Sequence, residues 1–262
     1  SMINIKEINW SSTKISILGA GISGKSAARL ANHLNINCYL SDSNLDIDIT
    51  NLDEIQIELG GHSDKVLESD IIVKSPGISN NIDIIRKAKN NNIPIISEIE
   101  FASWFSKSPI IGITGSNGKS TTVKLIHDVF QRAGYNSMLG GNVGIPFSKN
   151  VYKELSIKTP KGIHVLELSS FQLEHIEHLS LEVACILNIS EDHLDRYNHF
   201  NDYIEAKFNI LKTIKGNGYI IYNNDDDILN EKLSKQKKSI PFSSNDIELK
   251  TLDIDNIPLK GK

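Results

Sequence analysis

The densest chemistry in the sequence lies at residues 114–121, TGSNGKST, between the apolar run PIIGIT and the amphipathic TTVKLIHDVFQRAG. Gly115 and Gly118 let backbone N–H groups around Ser116 and Asn117 face one anion, Lys119 is a point charge for terminal phosphates, and Ser120, followed by Thr121, offers a hydroxyl to Mg2+. The strict pattern G-x-x-x-x-G-K-[ST] needs glycine at 113, where this chain has Ile113. The pattern fails at one residue, while the chemistry it encodes survives. A second cluster, Gly19-Ala20-Gly21-Ile22-Ser23-Gly24, matches G-x-G-x-x-G between KISIL and KSAARLANHL, with Asp42 closing the next apolar run. Read literally, this is a dinucleotide fingerprint. Physically, any nucleotide diphosphate suits the glycines and the helix N-terminus behind them, and a tight turn without a ligand fits too.

A triphosphate needs a cation, and Glu167, at the end of the strand-like IHVLEL, can meet Mg2+ opposite the loop. A carboxylate at a strand end serves equally well as a structural acceptor. His193, in NISEDHLDRY, falls just past another strand end, where ligands of α/β sheets bind, although an isolated histidine is more often structural. Lys207, in DYIEAKFNIL, reads locally as a solvated helix lysine. His175 and His178 stand three apart with no nearby cysteine, which makes a poor zinc set.

The elements around these residues alternate. KISIL, CYLSD, DIIVK and IPIIS read as strands separated by helical stretches such as NIDIIRKAKNN. After the helical EIEFASWFSK and Pro109, a second series runs through PIIGIT, IHVLEL, VACILNI and GYIIYN. Such alternation predicts an α/β protein with parallel sheets. The boundary is expected near Ser97, with one domain over residues 1–97 and a second, incomplete one over 98–262, because no closing helix follows the last strand-like pieces.

A chain of 262 residues with 39% hydrophobic and 23% charged residues is long enough for two domains and too apolar to be disordered. Its 28 Lys+Arg against 32 Asp+Glu leave a net charge of -4, so no broad basic field recruits nucleic acid or an anionic membrane. Cys38 and Cys185 both sit in apolar runs, as buried thiols do in a reducing compartment. With no apolar stretch long enough to span a membrane and no signal-peptide pattern, the expected location is the cytoplasm. Ser1 before Met2 reads as a cloning remnant.

In this order TGSNGKST, GGNVGIP, LELSSFQLE and LNISEDHLDRY, followed by the EAK lysine, resemble the Mur ligases, ATP-dependent enzymes that form amides in peptidoglycan precursors. GKS, SPGI and SSFQLE resemble most its D-glutamate-adding branch. The resemblance runs from Gly19 to about Asp226. It implies a Rossmann-like N-terminal domain that holds the UDP end of UDP-N-acetylmuramoyl-L-alanine, which displaces the dinucleotide reading. Ile22, Ser23, Asp42, Ser75 and Gly77 then map to uridine and pyrophosphate contacts, although Asn44 stands where better-known members carry arginine. A phosphate-loop ATPase domain follows, in which Gly115, Ser116, Asn117, Gly118, Lys119, Ser120 and Thr121 map to ATP, and Ser120 and Glu167 to the first Mg2+. Asn142 and His193 map to the substrate carboxylate and second Mg2+, and Ser169 to a substrate contact. Lys207 maps to a lysine that the family carries as a carbamate, an anion able to support that metal. Lys119, Asn142, His193 and Lys207 are thus the implied catalytic set. The family's third domain, which binds the incoming amino acid, has no counterpart here, so the chain alone is expected to have little ligase activity. Other Mur-type ligases, a folylpolyglutamate synthase relative and a non-catalytic nucleotide-binding module remain as alternatives.

Overall fold

A computed structural model describes residues 3–190, 197–214 and 216–246. Its elements form two sheets in which every pairing is parallel. The first contains β1 (Lys14–Leu18), β2 (Asn37–Asp42), β3 (Gln56–Leu59), β4 (Ile71–Lys74) and β5 (Ile95–Ser97), in spatial order β3-β2-β1-β4-β5. Helices α1 (Ile22–His33) and α2 (Asp83–Asn90) accompany it. After α3 (Glu98–Ser103), the second sheet contains β6 (Ile110–Thr114), β7 (Asn136–Gly141), β8 (Gly162–Glu167), β9 (Val183–Ile186), β10 (Tyr219–Asn223) and β11 (Ser239–Phe242). Its order is β11-β10-β9-β6-β8-β7, with helices α4 (Lys119–Arg132), α5 (Phe147–Ser156), α6 (Ser170–Leu173), α7 (Phe200–Phe208) and α8 (Asp227–Leu233).

Both orders create a switch point, the crevice at the carboxyl ends of strands where the winding reverses. In the first sheet it lies between β1 and β4, and in the second around β6, flanked by β8 and β9. The glycine clusters follow β1 and β6 directly, so both open into these crevices. The first turn is tightly packed. A Cβ on Gly24 would lie 1.7 Å from the Gly19 carbonyl oxygen, so glycine alone lets α1 approach the turn this closely.

Parallel strands need cover on both faces. One apolar layer runs through both sheets, joining Ile15, Ile17 and Leu30 to Phe101, Phe147, Leu166 and Ile186, while Ile111, Ile113, Val123 and Val165 form a separate layer under α4. The segment after Ser97 is therefore no loose linker. The buried Glu98 carboxylate accepts the Ser148 N–H at 2.7 Å, and burial pushes its pKa up. Buried Glu100 accepts from Trp104 Nε1 at 2.8 Å, from His178 N at 2.6 Å and from Leu179 N at 2.9 Å. Both cysteines are buried, and desolvation raises Cys38 to about 12 and Cys185 to about 11. Among the described residues no helix is long and apolar enough to cross a membrane.

Two strands escape the sequence pattern. β3 is an edge strand with no fully buried residue, and β7, NSMLGG, carries two glycines at the opposite edge of the other sheet. Each is a strand because a neighbour supplies its ladder, against its own weak propensity.

His175 links the two sheets. Its backbone carbonyl accepts the Ser97 N–H at 3.0 Å, and its Nε2 lies 2.8 Å from Asn80 Oδ1. Burial, and secondarily the Lys74 ammonium, push the imidazole down to about 4. The unfolded chain, titrating near 6.5, binds this proton more readily, so the neutral ring's contribution is intact above pH 6.5 and is lost as pH falls toward 4. His175→Gln keeps a donor for Asn80 and removes the titration. Urea unfolding at pH 7 and pH 5 is expected to show the unsubstituted chain losing about 2 kcal/mol more than the variant.

Candidate functional site

The loop after β6 is shaped by its neighbours as much as by its own residues. Gly118 caps α4 in the left-handed conformation, φ 81°. The Ser116 N–H donates to Asn188, to its carbonyl at 3.0 Å and its Oδ1 at 2.9 Å, and the Asn117 N–H donates to the same Oδ1 at 2.8 Å. Asn188 Nδ2 returns a bond to the Asn117 carbonyl at 3.0 Å. Ser116 Oγ takes the Ser190 N–H at 2.8 Å and lies 3.0 Å from the Tyr203 hydroxyl.

Two ammonium groups reach this loop. Lys119 Nζ donates to the Gly115 carbonyl at 2.7 Å and to the Ser116 carbonyl at 3.3 Å. Lys207 Nζ donates to the same Gly115 oxygen at 2.9 Å and lies 4.8 Å from the centre of the Tyr203 ring. The local reading of Lys207 as a solvated helix lysine is thereby corrected, because its side chain is only 2% exposed. A helix lysine surrounded in sequence by DYIEA and FNIL gives no local sign of this; the fold turns that face of α7 toward β6.

Across from the loop, Glu167 ends β8. Ser120 Oγ donates to its Oε2 at 2.8 Å, Asn142 Nδ2 to its Oε1 at 3.4 Å, and the Asn142 N–H to its backbone carbonyl at 2.8 Å. A hydroxyl and a carboxylate facing one another, with a side-chain amide on the same carboxylate, make an oxygen-rich corner of the kind Mg2+ takes. Thr121 follows on the exposed first turn of α4. Ser169 is committed locally, forming a capping box with Gln172 at the start of α6. His193 lies outside the described residues. His175 and His178 engage Asn80 and the Ile3 carbonyl, the latter at 2.5 Å.

In the first crevice, both oxygens of Asp42 hold backbone: Oδ2 accepts the Ala20 N–H at 2.6 Å and Oδ1 the Asn44 N–H at 2.8 Å. Ser75 Oγ donates to the Gly19 carbonyl at 3.3 Å. Ile22 is 72% exposed at the start of α1, Ser23 is half-buried beside it, and a Cβ at Gly77 would meet open space. The crevices are bridged by Asn80, whose Nδ2 donates to Glu174 Oε2 at 2.7 Å, within a cavity of about 390 Å3 also lined by Phe171, Tyr197 and Asp202. Asn188, Ser190, Tyr203 and Asn80 were not singled out by sequence reasoning. Only LNIS and its position past an apolar run pointed toward Asn188.

A family model described as the Mur ligase middle domain matches residues 113–260, and one described as the MurD-like Mur ligase N-terminal domain matches residues 13–97. The chain belongs to the Mur ligase family. It is 41% identical over 239 residues to the UDP-N-acetylmuramoylalanine–D-glutamate ligase of Christiangramia forsetii, covering 88% of this chain and 53% of that one. It is also 41% identical over 240 residues to the Bacteroides fragilis protein of the same name, with coverage of 88% and 53%. The chain spans about half the length of these curated relatives. Among solved Mur ligase structures, a UDP-N-acetylmuramate:L-alanyl-gamma-D-glutamyl-meso-diaminopimelate ligase from Neisseria meningitides aligns with a TM-score of 0.60 and 17% identity, over 88% of this chain and 77% of that one. UDP-N-acetylmuramate-alanine ligase from Thermotoga maritima aligns with a TM-score of 0.52 and 20% identity, over 88% and 52%. These likenesses establish the α/β fold.

In this Mur ligase chain Gly141 is the tightest point of the site. Its φ is 115°, and an added Cβ would lie 2.1 Å from the Glu167 carbonyl oxygen. Gly141→Ala is expected to cost about 2–4 kcal/mol in urea unfolding, because neither the backbone angle nor the contact tolerates a side chain. Amide hydrogen exchange at Asn142, whose N–H donates to the Glu167 carbonyl, is expected to speed up in the variant as that carbonyl is displaced.

Proposed function

We propose that this chain is the substrate-binding and nucleotide-loop part of an ATP-dependent amide ligase that joins D-glutamate to UDP-N-acetylmuramoyl-L-alanine. The observation that carries the reading is the convergence of Lys119 and Lys207 on the loop carbonyl of Gly115, with the Ser120–Glu167 pair on the adjacent strand end. Similarity to D-glutamate ligases supports the choice of amino acid. The two domains divide the work, residues 1–97 taking the UDP end and residues from 98 onward taking ATP.

A carboxylate is a poor electrophile. In the proposed reaction the substrate carboxylate attacks the γ-phosphorus, ADP leaves, and the acyl phosphate is attacked by the amine of D-glutamate. The amine loses a proton and phosphate departs from the tetrahedral intermediate. Lys119 swings from the Gly115 carbonyl to the phosphates, where its charge opposes that developing on the transferred group. Gly115, Ser116, Asn117, Gly118 and Thr121 shape and line the phosphate seat. Asn142 and His193 hold the substrate carboxylate, and Ser169 touches the substrate. Ile22, Ser23, Asp42, Ser75 and Gly77 form the uridine and pyrophosphate seat. Ser120 and Glu167 would hold one Mg2+, and His193 with Lys207 as a carbamate the second. Bound Mg2+ would supply neutralisation of phosphate charge. As an ammonium, Lys207 suits the Gly115 carbonyl and the Tyr203 ring; taking up carbon dioxide releases two protons from that ammonium, ends the cation–π contact and leaves one N–H for the carbonyl.

Binding is the direct readout for a chain of this length. A ligand at about 100 times its dissociation constant adds roughly 2.7 kcal/mol, on the order of several degrees in melting temperature. Thermal shifts are expected with UDP-N-acetylmuramoyl-L-alanine and with Mg-ATP, and none with NADH. Lys119→Ala is expected to abolish the Mg-ATP shift and keep the UDP-substrate shift. Stabilisation by NADH alone would overturn the ligase reading in favour of a dinucleotide site.

A further inference from the structure

The segment leaving β9 forms one wall of the phosphate loop. A Cβ on Gly115 would stand 3.1 Å from Leu187 Cβ, and one on Gly118 3.7 Å from Leu187 Cδ1, so Leu187 underlies both glycines. Asn188 then meets the loop with three functional groups at once. Its Oδ1 accepts from Ser116 and Asn117, its Nδ2 donates to the Asn117 carbonyl, and its own carbonyl accepts from Ser116. On the far side the segment is anchored by Asp226, whose Oδ2 accepts the Ile189 N–H at 2.8 Å while its Oδ1 caps α8 through the Leu229 N–H at 3.0 Å.

We propose that Asn188 is the positioning residue of the phosphate loop: it consumes the N–H groups of Ser116 and Asn117, and so fixes the loop in the shape that leaves the first amides of α4 for the nucleotide. The inference rests on the nucleotide reading above and deepens it. The first turn of a helix has N–H groups without intrahelical acceptors, which here are those of Lys119, Ser120 and Thr121. They can converge on a phosphate only if the preceding residues are held. A side-chain amide suits this task because it accepts two N–H groups and donates to a carbonyl simultaneously. A carboxylate would keep the two acceptor bonds, lose the donor to Asn117 and place a negative charge beside a polyphosphate.

The test uses the full 262-residue chain, with Mg-ATP and inorganic tripolyphosphate as probes in calorimetry and with amide hydrogen exchange by NMR. In the unsubstituted chain the Ser116 and Asn117 amides are expected to be protected without ligand and to remain so with it, while those of Lys119, Ser120 and Thr121 gain protection on binding. Asn188→Ala is expected to bind both probes at least about tenfold more weakly, the scale of one lost hydrogen bond network, with exchange in β6 and β9 unchanged. Asn188→Asp is expected to keep protection at Ser116 and Asn117 and still bind tripolyphosphate more weakly than the unsubstituted chain.

Affinity within twofold in Asn188→Ala, in a protein where Lys119→Ala has lost binding, would overturn the role of Asn188 and leave the nucleotide reading standing. Loss of protection at Ser116 and Asn117 when ligand binds would overturn it as well, since the phosphate would then replace Asn188. That measurement decides the matter even if Asn188→Ala does not fold. Failure of the unsubstituted chain to bind either probe would overturn both readings together.

Discussion

Lys119 and Lys207 come from different helices and donate to one carbonyl oxygen, that of Gly115. Bringing two ammonium groups to one acceptor works against their mutual repulsion, and burying one of them adds a desolvation cost. The arrangement is sustained because β6 ends at this point between β8 and β9, and the elements leaving those strands meet over it. The two groups differ in exposure, Lys207 being buried and Lys119 only partly so. The loop, Glu167, Asn188 and Tyr203 are all arranged with respect to this meeting point.

The same construction principle appears in both sheets with different contents. At each switch point a glycine-bearing turn leads from a central strand into a helix, so that helix N–H groups face a crevice. In the first sheet the turn is held by packing and by Asp42, whose two oxygens engage backbone at positions 20 and 44. The turn itself, residues 19–24, carries no charged side chain, and Lys25 follows it in α1. In the second sheet two lysines and a hydroxyl–carboxylate pair are added.

The connection between the sheets is polar at its centre despite lying in the core. Glu98 and Glu100 are buried at the start of α3, and their carboxylates accept N–H groups from residues 148, 178 and 179. An unpaired buried carboxylate would be costly, whereas one that satisfies otherwise orphaned backbone donors fixes how segments meet. The loops at both crevices are thereby held to a common frame, with Asn80 and Glu174 bridging them.

The sequence by itself determined the alternating strands and helices, the two glycine turns and the placement of Lys119 and Ser120 at the start of a helix. These are local matters: β-branched runs, glycine's freedom in φ and the placement of a cation at a helix start are written within a dozen residues. It did not reveal β3 or β7, which owe their strand conformation to neighbours. Nor did the sequence around Lys207 disclose its burial, since a helix lysine ordinarily turns its charge to water even where apolar residues flank it. Tertiary structure alone decided that Lys207 joins Lys119, that Glu167 meets Ser120, and that Asn188 grips the loop 71 residues earlier in the chain. Those pairings depend on the order in which parallel strands assemble, and strand order is set by the burial of whole faces rather than by any short stretch of sequence.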